Sequence, residues 1–344
     1  MNKSRIVVLA STLIVGAGVL TAVGALYLDP AQAAVGPLPA AGLALPADAQ
    51  FVMGIDVRRF VASPFYTRFG EEHAAARPQA FAEMEEKTGI NPERDVDAIY
   101  VAGRKGSGGK HDGDGVVIVA GTFDRYKVSR AIETSHKGAT STKYNGTPIY
   151  LFEETRAGRK AGAVAFLDDN TLVMGSRPGV EKTIDARFGG GEGLRGNAAM
   201  TALLETVRPG STFWMVGDQS VLGQMPKGIP APGGEGQSMS LPPLKTVVVT
   251  GDLDPVVSFE ATGEAADGAA AQNLADVVRG FVALATLQAH QKPELKQLAS
   301  GVSVTTDQNK VRISARFPYE LLDSLRTKKT ARGVEPATAV EPSN

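Results

Sequence analysis

Apolar residues are distributed along this chain in three distinct patterns. The first is continuous. Ile6–Leu28 reads IVVLASTLIVGAGVLTAVGALYL without a charge, with Lys3 and Arg5 before it and Asp29-Pro30 after it. About 20 apolar residues in a helix cross a hydrocarbon core of roughly 30 Å. Positive charge ahead of such a run favours a cytoplasmic N-terminus, with the remaining chain outside. Lys3, Arg5, Ile6 and Leu28 are therefore the expected flanks of a membrane anchor that contacts lipid. A cleaved signal peptide is the rival reading, because Ala31-Gln32-Ala33 is an A-x-A site. Signal h-regions span about 7–15 residues, so this run is long for one. Both readings export the chain. They place it in a bacterial cell envelope, either anchored in the inner membrane and facing the periplasm or exported after cleavage. Residues 29–48, rich in Ala and Pro, read as an extended tether.

The second pattern alternates with period two and predicts strands. Gln50–Asp56 (Phe51, Met53, Ile55), Ala98–Ala102, Val116–Ala120, Ser141–Tyr144, Thr147–Phe152, Ala163–Leu167 and Thr171–Met174 fall in the first part of the chain. Ser211–Val216, Lys245–Asp252, Val256–Thr262, Val302–Thr306 and Val311–Ala315 follow. Asn145-Gly146 between two such runs is the strongest short hairpin signal. Asp168-Asp169-Asn170 and Asp307-Gln308-Asn309 predict two more turns.

The third pattern recurs at i, i+3, i+4 and i+7 and predicts helices. One runs from the end of the first strand to about Phe69. Others are Pro78–Thr88 (stopped by Gly89), Asp124–Ser135, Gly179–Phe188 and Asn197–Thr206. The longest is Ala265–Gln291, with Leu274, Val277, Val278, Phe281 and Leu284 on one face; Pro293–Ala299 and Pro318–Leu325 complete the set. Thr327–Asn344 is polar and aperiodic and reads as disordered.

Together these patterns predict an α+β fold: antiparallel sheets with helices on one face, in two related strand-helix halves after an N-terminal apolar helix. A Gly-rich break at Gly189–Gly196 divides the halves into residues 49–195 and 196–326. A repeat runs through the strand-helix modules. VVIVAG precedes a helix carrying Val128, Ile132 and Glu133, and TLVMGS precedes one carrying Val180, Ile184 and Asp185. FVMGID and FWMVGD likewise end on an aspartate before a new segment. The segment LPADAQFVMGIDVRRF (Leu45–Phe60), joined to the apolar leader and the strand-helix modules, resembles a group of uncharacterised bacterial envelope proteins bearing a domain of unknown function. That resemblance spans roughly residues 45–325 and implies no catalytic residues.

Composition narrows the chemistry. The 344 residues carry a formal charge of −1, so no global field attracts nucleic acid. Cysteine is absent, which removes thiol catalysis, Cys-ligated zinc, iron–sulfur clusters and disulfides. Tryptophan occurs once, at Trp214, whereas nucleic-acid surfaces often use aromatic stacking platforms.

Short motifs weigh little. Ser107-Gly-Gly-Lys110 matches S-x-x-K, but it sits in the glycine-rich loop Gly103–Gly115 rather than at a helix start. A phosphate-binding loop ending on Gly109-Lys110 needs Gly at Arg104 and Ser or Thr at His111. A calcium loop starting at Asp112 needs a carboxylate at Phe123. His73, His111, His136 and His290 are scattered, with no paired spacing. No catalytic, metal or cofactor residues are therefore assigned.

The most informative stretch is the Pro/Gly/Met loop Gln219–Pro243, longer than compact domains usually keep without function or disorder. Leu222, Met225, Ile229, Met239 and Leu241 are its candidate contacts to an apolar ligand or partner, because methionine repacks easily; a mobile linker is the alternative. The resulting expectation is a non-catalytic envelope protein that binds an envelope protein or apolar ligand, or scaffolds an assembly. A hydrolase whose residues meet only in the fold is the second reading.

Overall fold

The computed structural model describes residues 38–69, 77–104, 114–135, 139–152, 162–222, 228–230, 238–240, 243–287 and 293–324. The Ile6–Leu28 run and the 327–344 tail lie outside these residues. Among the described residues no helix is long and apolar enough to cross a membrane. The chain forms two compact units, Met1–Val216 and Gly217–Asn344.

Unit 1 begins with a short helix α1 (Ala40–Leu43), strand β1 (Phe51–Asp56) and helices α2 (Val57–Ala62), α3 (Pro64–Phe69), α4 (Arg77–Thr88) and α5 (Pro92–Asp95). It continues through β2 (Val96–Arg104), β3 (Asp114–Gly121), α6 (Arg125–Ser135), β4 (Ala139–Tyr144), β5 (Thr147–Phe152), β6 (Gly162–Asp168) and β7 (Thr171–Ser176). Helix α7 (Arg177–Phe188), a 3₁₀ turn at Gly193–Gly196, α8 (Ala198–Glu205) and β8 (Phe213–Asp218) complete it. The strands lie in the order β8-β1-β2-β3-β7-β6-β5-β4. From β1 to β4 each neighbouring pair is antiparallel.

Register decides which side chains share a face. Ile55 pairs with Ile99, Ile99 with Val119, Val119 with Leu172 and Leu172 with Phe166. This row packs with Val57 of α2, Met84 of α4, and Val128 and Ile132 of α6. The intervening row, Tyr100, Ile118, Val173 and Ala165, faces the other way and is also buried. Helix α7 lies on that second face: a Cβ on Gly179 would come within 2.4 Å of Val116 Cγ2. Unit 1 therefore carries helices on both faces, a correction to the one-face expectation. The reason is that β2 and β3 bury both sets of side chains, so neither face suits water.

Two further differences concern boundaries. Residues 38–48 belong to the folded body rather than to a free tether, with Leu38, Ala44 and Leu45 buried. The Gly-rich break lies inside unit 1. There Gly189, at φ 89°, caps α7, and Gly190 N–H bonds the Asp185 carbonyl at 2.8 Å.

Unit 2 contains α9 (Gln219–Leu222), β9 (Gly228–Pro230), β10 (Ser238–Ser240), β11 (Leu244–Asp252), β12 (Val257–Ala265), α10 (Gly268–Leu287), α11 (Pro293–Ser300), β13 (Val302–Asp307) and β14 (Lys310–Phe317). Residues 319–324 are helical. Strands β9 and β10 pair as a separate antiparallel ribbon, so the long loop holds more regular structure than its composition predicts. The other four strands run β13-β14-β12-β11. Val311 and Ile313 pack with Leu274 and Ala275 of α10. Ala315 and Phe317 pack with Leu298 of α11. The alternate residues Arg312, Ser314 and Arg316 share the opposite face with Ser258 and Glu260. Helices α10 and α11 thus lie on one face of this unit's strands, as period-two alternation demands.

Candidate functional site

Two places in unit 1 concentrate polar chemistry. The first is a hollow of about 490 Å³ where the C-terminal end of α7 meets α1 and the 3₁₀ turn. Arg187, Arg195, Glu192, Leu43, Ala186 and Gly191 line it. Glycine is required at one position there: Gly193 has φ 55°, and a Cβ would come within 2.3 Å of the Leu43 carbonyl. Its volume falls in the range of small-ligand sites, about 300–1,000 Å³. Its charge is mixed. Arg187 is held by Asp168 at 3.3 Å and lies 5.8 Å from the Phe188 ring centre. The α7 carbonyl end and Glu192 add negative potential. The lining can hold a small polar molecule by hydrogen bonds but offers no nucleophile paired with a base.

The second is a buried cluster on β1, β2 and β8. Asp56 ends β1 and caps α2, accepting from Arg59 N–H at 3.0 Å. Arg59 Nε lies 3.4 Å from the same carboxylate, and Arg59 Nη1 donates to the Gly210 carbonyl at 2.6 Å. The Asp56 N–H donates to Thr212 O at 2.8 Å. Beside it, Arg58 pairs with Asp97 at 2.9 Å. Tyr100 lies directly across from Gly54, and the Trp214 indole covers that glycine: a Cβ there would sit 2.5 Å from Trp214 Cε2. The Tyr100 and Trp214 ring centres are 6.5 Å apart, and both side chains are 1% exposed.

Burial dominates the electrostatics of this cluster. It pushes Asp56 above its ordinary 3.8, against the Arg59 N–H, the Arg59 guanidinium and the charge of Arg58. It also raises Asp97, with Arg58 opposing. The Tyr100 phenol is pushed far up by burial and, secondarily, by Asp56 and Asp97, so it stays neutral. Tyr100 Oη and Trp214 Nε1 are buried donors without a hydrogen-bond partner among the described residues. Each forgoes about 1–3 kcal/mol, offset by the apolar area of two large rings. The cluster shares no lining residue with the hollow.

Of the residues singled out by sequence, Leu222 ends α9, and Ile229 lies directly across from Met239 in the β9–β10 ribbon. Met225 and Leu241 fall outside the described residues, as do Lys3, Arg5, Ile6 and Leu28 and the Ser107–Gly113 motifs. The structure thus brings Ile229 and Met239 together. At the base of the Gly103–Gly115 loop, Arg104 pairs with Asp114 at 2.8 Å and with Asp48 at 3.2 Å; Asp48 also holds Lys182 at 2.6 Å. Asp114 is therefore part of an ion-pair network. Among the described residues no cluster of three His, Cys, Asp or Glu is placed to hold a metal ion. No motif in the sequence marks Asp56, Tyr100 and Trp214 as a cluster. The one available signal was the aspartate closing both FVMGID and FWMVGD.

Compared with protein-family models, curated proteins and solved structures, the chain matches none.

Proposed function

We propose that the protein is a non-catalytic component of a bacterial cell envelope. Its leading apolar run holds it at the inner membrane or exports it. Its folded body binds an envelope protein or an apolar ligand, or scaffolds an assembly. The observation that carries this reading is the charge-free Ile6–Leu28 run with Lys3 and Arg5 before it.

Two features of the body support binding over catalysis. In α10, Ala271, Leu274 and Ala275 are buried, but the same face continues through half-exposed Val277, Val278, Phe281 and Leu284. Leu287 ends it, 69% exposed. Apolar side chains left in partial contact with water favour a partner that covers them. The titration-shifted groups Asp56, Asp97 and Tyr100, in contrast, lie apart from the polar hollow. A hydrolase would need such groups to converge on a cleft.

The test uses the absence of cysteine. Tyr126 is 70% exposed, so Tyr126→Cys gives a single reactive thiol on the body. In intact spheroplasts a membrane-impermeant maleimide labels it fully. Labelling only after lysis rejects the exported location. A mild-detergent pull-down of the full chain then identifies the protein or lipid that travels with it.

A further inference from the structure

We propose that β13 is a strand-addition edge through which two copies of this chain pair. The inference gives the assembly reading above a partner, but its test does not depend on where the protein resides. It rests on the direction of the backbone groups along β13, the terminal strand of the unit 2 sheet.

The register is Val302↔Ala315, Val304↔Ile313 and Thr306↔Val311. Arg316 N–H donates to the Gly301 carbonyl at 2.9 Å, so the Gly301/Arg316 pair is hydrogen-bonded. Bonded and non-bonded pairs alternate along an antiparallel ladder. Ser303, Thr305 and Asp307 therefore turn their backbone groups toward β14. Val302, Val304 and Thr306 turn theirs outward, where among the described residues one group is taken: Arg279 Nη2 of α10 donates to the Val304 carbonyl at 3.3 Å. Arg279 is itself steered by Asp276 Oδ1 at 2.7 Å.

Protein edges are usually blunted by lysine, proline or a bulge. Strand β4, at the end of the unit 1 sheet, follows that rule with exposed Lys143. Strand β13 reads VSVTTD and carries no Lys or Pro, and its pairing shows no register shift. Among the described residues its guard is one side-chain hydrogen bond.

The strand is also complementary to itself. Two copies running antiparallel about an axis at Val304 place Val304 opposite Val304, Val302 opposite Thr306 and Ser303 opposite Thr305. No charged side chain enters until Asp307, which falls opposite Gly301, so no like charges oppose. The outward groups of three residues from each copy form about six backbone hydrogen bonds. An extended segment of another protein could use the same groups, but this register comes from β13 alone.

The test is sedimentation of the purified full-length chain in mild detergent, across a concentration series. The wild type forms a dimer. Val304→Pro stays monomeric, because it removes an outward N–H and leaves the β14 ladder intact. Ser303→Lys combined with Thr305→Lys also stays monomeric, since these positions lie opposite one another across the axis and lysine would face lysine. This second variant covers a failure of the proline variant to fold, with circular dichroism confirming its strand content. Arg279→Ala dimerises at a roughly five- to hundredfold lower concentration, because the two-fold dimer displaces two such hydrogen bonds, one from each copy. A wild type that remains monomeric throughout overturns the proposal. So does assembly that persists in both edge variants, which would run through another surface. A cytoplasmic result in the spheroplast assay would leave the edge contact standing.

Discussion

Asp56 shows how one residue can carry two opposing roles. Its carboxylate caps α2 through the Arg59 N–H, which favours the charged form, yet it is 5% exposed, which penalises that form. Burial is the largest influence, and the net shift is upward from 3.8. The native state therefore holds a proton on Asp56 more readily than the unfolded chain does. Its contribution to stability is fully present below 3.8 and is lost as pH rises through the raised native value. Asparagine caps helices about as well as aspartate and carries no charge. Asp56→Asn should accordingly gain on the wild type at neutral pH, and that gain should shrink as pH falls toward 3.8. Urea unfolding followed by the emission of Trp214, the single tryptophan, measures this directly. A variant that is relatively worse at neutral than at acid pH would contradict the account. The cluster around Asp56 was not legible beforehand, since only the β8-β1-β2 alignment brings Trp214 over Gly54 and beside Tyr100.

At the scale of elements, local rules were read well wherever one residue type answers one geometric demand. Asn145 and Gly146 take φ 45° and 81°, the positive pair a two-residue hairpin needs, and the turn falls where the sequence put it. Gly189 ends α7 in the left-handed region. Four-residue helices such as α1 and α5 are too short to show a period, so nothing in the apolar pattern announces them. The two-sided burial of β2 was hidden for a related reason. Ala98, Tyr100 and Ala102 look weakly hydrophobic beside Ile99 and Val101, yet both sets are covered. The β4–β5 hairpin is also tied to α7. Tyr144 Oη donates to Asp185 Oδ2 at 2.8 Å, and Asn145 Nδ2 donates to Asp185 Oδ1 at 2.7 Å. A double-mutant cycle of Tyr144→Phe and Asp185→Ala should therefore return a coupling of about 0.5–1.5 kcal/mol in unfolding free energy. A coupling indistinguishable from zero would mean that the hairpin tip is held by its turn alone.

For the whole molecule, apolar periodicity predicts an α+β body with antiparallel sheets, and the structure has that architecture in each unit. The division at Val216/Gly217 was less accessible, because long-range strand pairing rather than glycine content decides where contacts thin out. Gly189–Gly196 looked like a break between halves because a helix cap and a tight turn also use glycine. The link between body and cell rests on the leading run, and it yields a quantitative expectation. Arginine at the centre of a membrane helix costs about 2.5–3.5 kcal/mol on insertion scales. Val15 and Val19 lie near the middle of the run, so Val15→Arg with Val19→Arg should cost about 5–7 kcal/mol, enough to abolish insertion. Fractionation should find the variant chain released from the membrane and its N-terminus uncleaved. The wild type should stay in the membrane fraction if the run is a retained anchor, or appear as a shorter periplasmic chain if it is a signal peptide. A variant that fractionates like the wild type would show that this segment does not direct the protein to the envelope, and the functional proposal would lose its support.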